Sequence, residues 1–214
     1  MSNETSTAQQ RQAAAPADFI WLASRSPRRQ ELLRQIGVPF RLLVSDDDED
    51  DEALEAALPG ESPTRYVARV ARAKAAAARA RLARRGEPDA PVLASDTTVA
   101  IGGRMFGKPL DADDAHRMLR ELSGRTHRVL TAVVVAGARC ERIATQVSRV
   151  RFARLRPIEI AEYVAGGEPF GKAGGYAIQG AAARFVQRIE GSHSGIMGLP
   201  LYETARLLRG AGIR

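Results

Sequence analysis

The sequence predicts an α/β protein in which a mixed sheet is flanked by helices. Short apolar runs of strand length alternate along the chain with amphipathic segments that carry helix start and stop signals. Two long strand-like segments, residues 127–137 and 141–155, follow each other across a short loop at Gly137, as in an antiparallel pair. Because the other strands do not follow a strict strand–helix–strand order, a mixed sheet is favoured over a parallel, doubly wound one.

The first elements are a strand over residues 19–23 and a helix that begins at Ser26. Ser26 is a good N-cap, Pro27 suits the first helical position, and Gly37 suits the end of the helix. Period-2 patterns or apolar runs bounded by turn residues predict further strands over residues 40–44, 92–101, 127–137, 141–155 and 183–191. Amphipathic patterns with proline or acidic starts and glycine ends predict further helices over residues 62–85, 111–124, 156–167 and 199–210.

Arg28 and Arg29 are anomalous in the first turn of that opening helix. The unpaired N–H groups there carry partial positive charge, so two cations are locally unfavourable. A bound anion would resolve the conflict, because a helix N-terminus flanked by guanidinium groups suits phosphate. The alternative is a pair of surface arginines extended into solvent, and this stretch alone leaves both interpretations open.

The composition is that of a globular protein with an excess of basic residues outside one acidic run. Hydrophobic residues make up 44% of the 214 residues, enough for one domain with a substantial core. The net charge is +7, but seven acids form the unbroken run 46–52, and the 32 basic and 18 acidic residues outside it give +14. This balance indicates an anionic partner, either nucleic acid or small phosphorylated ligands. Only 5% of residues are aromatic, which provides few stacking platforms for single strands.

The first residues, the apolar patterning and the cysteine content give expectations for the cellular location and for the cofactors. Residues 1–17 are polar and alanine-rich, which predicts a disordered extension ahead of a single domain over residues 18–214. The sequence contains neither a membrane-spanning apolar run nor a signal-peptide pattern, so we expect a cytoplasmic protein without membrane contact. The single cysteine, Cys140, rules out an internal disulfide and argues against a thiolate metal site.

Asp96 is the main candidate for chemistry, because it interrupts the apolar run VLASDTTVAI. A carboxylate left buried and unpaired is strongly unfavourable, so it must find a partner, a metal or a cleft. A catalytic or metal-binding role is favoured over a structural hydrogen bond to a turn. Lys74 and Lys108 are candidate phosphate-binding charges in an arginine-rich chain, although a surface position is the alternative for either.

Several common site types are excluded. Residues 166–173, GGEPFGKA, have the glycine and lysine spacing of a P-loop but end in Ala173 where a Mg²⁺-binding hydroxyl is needed, and they follow a helix instead of a strand. The three histidines have no zinc-type spacing, and no Gly-x-Ser-x-Gly motif is present. Histidine-based metal hydrolysis and serine nucleophilic catalysis therefore lose support.

Taken together, six stretches resemble the Maf family of nucleotide pyrophosphatases between Leu22 and about Leu208. They are LASRSPRRQELL, ASDTTV, GKP, LSGRTH, EPFGKAGGYAIQG and GLPL, in the order and spacing of that family. The resemblance implies an elongated mixed α/β fold with two lobes and a central cleft, similar to the inosine triphosphate pyrophosphatases. It also implies hydrolysis of a nucleoside triphosphate to the monophosphate and pyrophosphate, with a divalent cation, Mg²⁺ or Mn²⁺.

The resemblance further implies roles for individual residues. Ser24, Ser26 and Arg29 match the phosphate-site loop of the family, and Lys74 and Lys108 match further phosphate contacts. This interpretation places Arg28 and Arg29 in a triphosphate-binding site.

Asp96 matches the proton acceptor of the family, and Glu49 matches an acidic residue near the metal. The acidic run around Glu49 blurs the register of that second match.

Three positions resemble the branch of the family that acts on dTTP and UTP: Arg28, Thr97 and Gln179. The sister branch, which prefers 7-methyl-GTP, carries other residues there. An amide such as that of Gln179 can donate to a carbonyl oxygen of uracil or thymine and accept from its ring N3–H. The resemblance makes a nucleoside triphosphate the expected partner, without a specific nucleic acid, and makes a homodimer plausible. The rival classes are a nucleic-acid-binding module and a regulator of septation.

Overall fold

A seven-stranded mixed sheet forms the centre of the protein in the computed structural model, which describes residues 18–46 and 53–213. The strands are β1 (Ile20–Leu22), β2 (Phe40–Leu42), β3 (Val92–Ile101), β4 (Arg104–Phe106), β5 (Thr126–Ala136), β6 (Glu141–Phe152) and β7 (Val186–Glu190). Their order is β2-β1-β3-β5-β6-β7, and β4 pairs with β3. β1 runs parallel to β2 and β3, and the other pairs are antiparallel. The predicted mixed sheet is confirmed.

Helices cover both faces of this sheet. They are α1 (Pro27–Gln35), α2 (Pro63–Arg84), α3 (Ala112–Leu122), α4 (Pro157–Ala165), α5 (His193–Met197) and α6 (Leu201–Gly210). On one face, small residues of α2 such as Ala71 and Ala75 pack against Ala94 and Ala132 of the sheet. The side chains there are short, so the helix and the sheet can lie close together.

The apolar core is divided between the two ends of the molecule. α1 and α6 pack on the face opposite α2, where Leu33 and Leu208 contact Leu93. At the other end of the sheet, α3 and α4 enclose an aromatic-rich cluster that includes Phe152 and Tyr163. This arrangement agrees with the expected two lobes and central cleft.

The sheet has an open edge along the middle of β3. β1 pairs with β3 at Val92 and Leu93, and β4 pairs with it from Val99 onward. Between these points, residues 94–98 form ladder pairs only with β5 among the described strands. Side chains from both faces of β3 therefore reach the same space, even though successive residues of a strand point in opposite directions.

The local differences from the sequence prediction concern short segments. Residues 183–185 belong to a 3-10 helix, Ala181–Phe185, and the strand begins only at Val186. Two short elements, β4 and α5, were not predicted, because three and five residues are too few for a periodic pattern to emerge.

Among the described helices, none has the length and apolar character needed to cross a membrane.

Candidate active site

Nine of the ten residues predicted for the site line one cleft of about 610 Å³. This volume lies in the usual range for a small-molecule site. The nine residues are Ser24, Ser26, Arg28, Arg29, Lys74, Asp96, Thr97, Lys108 and Gln179. The tenth, Glu49, lies outside the described residues. Residues from distant parts of the sequence are therefore brought together at the open edge of β3.

The two arginines in the first turn of α1 are held by backbone carbonyl groups. Arg29 Nε donates to the carbonyl oxygen of Gly198 at 2.9 Å, and its Nη1 donates to Ser24 Oγ at 3.1 Å. Arg28 Nε donates to the carbonyl oxygen of Met197 at 3.4 Å. Both side chains are half-buried, so the alternative of two arginines extended into solvent is wrong for this pair.

The N-terminus of α1 adds unpaired donors beside these guanidinium groups. Ser26 occupies the N-cap position, but its side chain makes no capping hydrogen bond, and the first N–H groups of a helix have no partner within the helix. No acidic residue lies in this first turn. With Arg28 and Arg29 also lining the cleft, this end of α1 is suited to bind an anion.

Only glycine suits position 198, directly after α5 at the cleft. Its φ of +114° is strained for any other residue, and an added Cβ would lie 3.4 Å from Arg29 Nε. Its carbonyl oxygen accepts both from Arg29 and, at 2.9 Å, from Ser95 Oγ on β3. This single carbonyl group therefore fixes an arginine of α1 against the strand that carries Asp96.

Asp96 and Lys74 form a buried ion pair on the α2 face of the sheet. Lys74 Nζ lies 2.7 Å from Asp96 Oδ1, and the Asp96 side chain is only 7% exposed. The other carboxylate oxygen, Oδ2, is buried and has no hydrogen-bond partner among the described residues. An unpaired buried carboxylate oxygen is unfavourable, so this atom is free to accept a proton, a water hydrogen bond or a cation.

Burial raises the pKa of the Asp96 carboxyl above its ordinary value of 3.8, and the positive charges of Lys74 and Arg29 oppose that rise. An acceptor of this kind binds a proton more readily than an exposed aspartate. Perturbed carboxyl groups in clefts are common at functional sites.

Glu55 is a charged site residue that sequence reasoning missed. Lys74 Nζ lies 2.7 Å from Glu55 Oε1, and Lys108 Nζ lies 3.2 Å from Glu55 Oε2. Burial acts to raise the pKa of Glu55, but the two lysines hold it below its ordinary value. The sequence signal was hidden, because Glu55 follows an unbroken acidic run and carries no spacing that separates it from its neighbours.

Lys108 is positioned by the contact between the GKP turn and the loop over residues 166–180. Gly174 donates its N–H to the carbonyl oxygen of Gly107 at 2.9 Å. A Cβ on Gly174 would come within 2.8 Å of Val99, and its φ is +70°. Glycine is therefore required here, because only a residue without a side chain lets this loop close against β3.

Thr97 and Gln179 lie on different parts of the cleft wall. Thr97 is on β3, on the face opposite Asp96, and its Oγ1 hydrogen-bonds with Thr131 Oγ1 at 2.9 Å. Gln179 is exposed in the loop after α4. The cleft thus has cations from α1, α2, the GKP turn and the loop, a carboxylate on β3, and the Gln179 amide on the loop.

Comparison with known proteins gives close relatives that cover almost the whole chain. A dTTP/UTP pyrophosphatase of Ralstonia nicotianae is 63% identical over 201 residues, which are 94% of this chain and 97% of the relative. A dTTP/UTP pyrophosphatase of Burkholderia pseudomallei is 62% identical over 203 residues, with the same shares of 94% and 97%.

Among solved structures, the Ham1 protein of Staphylococcus aureus matches 63% of this chain and 71% of its own at 15% identity, with a TM-score of 0.42. A likeness of that size supports no statement about function. The family model described as Maf-like protein matches residues 19–211. That span contains the whole cleft, and the chain therefore belongs to the Maf-like protein family.

Proposed function

We propose that this protein is a nucleoside triphosphate pyrophosphatase that hydrolyses dTTP and UTP to the monophosphate and pyrophosphate. The observation that carries the proposal is the cleft itself, where the buried carboxylate of Asp96 lies among three lysines and four arginines that line the same space. Cations at this density suit a triphosphate. The names of the close relatives, dTTP/UTP pyrophosphatase, agree with it.

The triphosphate would be held by three groups of donors. The first-turn N–H groups of α1 with Arg28 and Arg29 form one side, and Lys74 and Lys108 form the other. Ser24 adds a hydroxyl group, which already accepts from Arg29. Such preorganised donors stabilise the charge that develops on the phosphate oxygens during the reaction.

Asp96 would act as the proton acceptor for the attacking water. In the proposed step, the water oxygen forms a bond to the α-phosphorus, and the bond from that phosphorus to the oxygen bridging to the β-phosphorus breaks. Pyrophosphate leaves, and the water proton passes to the Asp96 carboxylate. The unpartnered Oδ2 is the atom suited to receive it.

The residues also fit a divalent cation. Two carboxylates, those of Asp96 and Glu55, line the cleft, and Mg²⁺ or Mn²⁺ is commonly held by one or two carboxylates together with substrate phosphates. Glu55, which lies between Lys74 and Lys108, would hold it together with phosphate oxygens, and Asp96 Oδ2 would stay available for the proton. When bound, the cation would neutralise phosphate charge and favour departure of pyrophosphate.

Replacing Glu55 by glutamine is expected to raise the Mg²⁺ or Mn²⁺ concentration for half-maximal activity by on the order of tenfold, because one carboxylate ligand is lost. Electron paramagnetic resonance of Mn²⁺ with UMP present gives a second measurement, independent of turnover. Glu61→Gln is the matched control, since Glu61 pairs with Arg69 at 2.8 Å and does not line the cleft.

An unchanged metal requirement in Glu55→Gln would contradict the assignment. Glu49→Gln, measured in parallel, tests the acidic residue that the family resemblance selects. If only Glu49→Gln weakens Mn²⁺ binding, the metal role belongs to the acidic run and not to Glu55.

The base would be recognised at the loop side of the cleft. Gln179 would donate to a pyrimidine carbonyl oxygen and accept from N3–H, and Arg28 and Thr97 complete the set that resembles the dTTP/UTP branch. The extension predicted over residues 1–17 lies outside the described residues. We further propose one domain over residues 18–214, a cytoplasmic location and a homodimer.

A panel of nucleoside triphosphates with Mg²⁺ tests the function directly, with pyrophosphate release as the readout. We expect dTTP and UTP to be the best substrates, CTP to be much poorer, and 7-methyl-GTP to be poor. A preference for 7-methyl-GTP would move the protein to the sister activity. Binding to nucleic acid that falls steeply with salt, without any turnover, would support the binding-module or regulator alternatives.

A further inference from the structure

The loop over residues 166–180 presents an aromatic ring to the cleft. Phe170 is 42% exposed and lines the same cleft as Gln179. Two other aromatic rings line the cleft within the described residues. Tyr66 is half-buried and donates to the carbonyl oxygen of Glu55, and Tyr176 is buried and hydrogen-bonded to His127. Phe170 therefore has the most exposed aromatic surface in the cleft.

Backbone contacts hold Phe170 in place. Lys172 Nζ donates to the carbonyl oxygens of Glu168, at 2.6 Å, and Phe170, at 3.3 Å. Gly171, between these residues, has a φ of +70°, which turns the chain sharply after Phe170. An exposed phenylalanine is common on protein surfaces, but here the backbone that carries it is tied down.

The carboxylate of Glu168 joins the two ends of the loop. It accepts from the N–H of Ala181 at 2.9 Å, from the N–H of Ala182 at 3.3 Å and from the hydroxyl of Tyr163 at 2.8 Å. Phe170 is two residues after Glu168, and Gln179 is two residues before Ala181. The backbone positions of Phe170 and Gln179 are thus each within two residues of a contact made by Glu168, and both residues line the cleft.

We infer that Phe170 contacts the nucleobase by stacking on the face of the pyrimidine whose edge Gln179 reads. The inference rests on the proposed function and adds to it the residue that binds the base face. The planar, uncharged nucleobase can stack on the phenyl ring of Phe170, and the strength of such stacking depends little on which base is bound. Phe170 would therefore strengthen binding of the base, while Gln179 would select which base is bound.

Calorimetric binding of two small ligands tests this contact without turnover. UMP contains the base, and ribose 5-phosphate has the same phosphate and sugar without it. Phe170→Ala is expected to weaken UMP binding between about 5-fold and 100-fold and to change ribose 5-phosphate binding by less than about twofold. Phe170→Tyr keeps the ring and should bind UMP like the wild type. Tyr202→Ala, at a residue that is 69% exposed and outside the cleft, is the control and should change neither affinity.

The outcomes separate the contact from the activity. Equal weakening of both ligands in Phe170→Ala would mean that the loop has moved, and would overturn the stacking assignment. Unchanged UMP binding, or no UMP binding by the wild type, would also overturn it. UTP turnover is measured separately on the same proteins. If UMP binding depends on Phe170 but UTP is not hydrolysed, the base contact stands and the proposed activity fails.

Discussion

Replacing Asp96 by asparagine is expected to lower pyrophosphate release from UTP by at least about a hundredfold, because the proposed proton acceptor is lost. The change keeps the size of a side chain that is only 7% exposed. Lys74 retains its second partner, Glu55, at 2.7 Å, so no lysine charge is left unpaired. Steady-state kinetics with UTP and dTTP give the measurement.

The control for Asp96→Asn is Asp89→Asn, which makes the same change in an exposed ion pair with Arg79 and should keep full activity. Circular dichroism melting curves show whether both variants are folded. Turnover by folded Asp96→Asn within tenfold of the wild type would rule out Asp96 as the proton acceptor.

The pH profile provides a second test of Asp96. A proton acceptor must be deprotonated, and burial raises the pKa of this carboxyl above 3.8. Activity should therefore be complete above the raised pKa and be lost as the pH falls through it. This acid limb of kcat/KM should be absent from the residual activity of Asp96→Asn, because no carboxyl remains at that position to titrate.

Replacing Gln179 by glutamate is expected to lower kcat/KM for dTTP and UTP. The expected loss of transition-state stabilisation is about 1 to 3 kcal/mol. The carboxylate loses the amide donor and brings a negative charge towards a pyrimidine carbonyl oxygen. A purine with an N–H donor edge should lose less, or gain, because a carboxylate can accept from it. The ratio of UTP to 7-methyl-GTP turnover should therefore fall.

Gln187→Glu is the matched control, since Gln187 is exposed on β7 and accepts a hydrogen bond from Arg151 at 3.2 Å. It adds the same charge outside the cleft, and its substrate ratio should equal that of the wild type. If the ratio is also unchanged in Gln179→Glu, Gln179 does not read the base edge, even if the pyrophosphatase activity is present.

Much of the fold could be predicted from local patterns. The run VLASDTTVAI forms β3 over Val92–Ile101, and the Ser26-Pro27 start places α1 correctly. These elements are specified by residues close in sequence, through strand periodicity, an N-cap position and the fixed φ of proline. The anomaly of two arginines in one helix start was likewise visible in the sequence, which left open whether an anion or solvent explained it.

The tertiary structure alone determined how these residues meet. Asp96 and Thr97 point to opposite faces of β3, and they share a cleft only because β1 ends before this part of the strand and β4 begins after it. Glu55 joins Lys74 and Lys108 through ion pairs that span 19 and 53 residues of sequence. Local patterns contain no information on such contacts, because they depend on how distant segments pack and on which charges burial forces to pair. The sequence by itself therefore determined most of the elements and, through the family resemblance, most of the candidate residues, and the packing determined how these residues meet and added Glu55 to them.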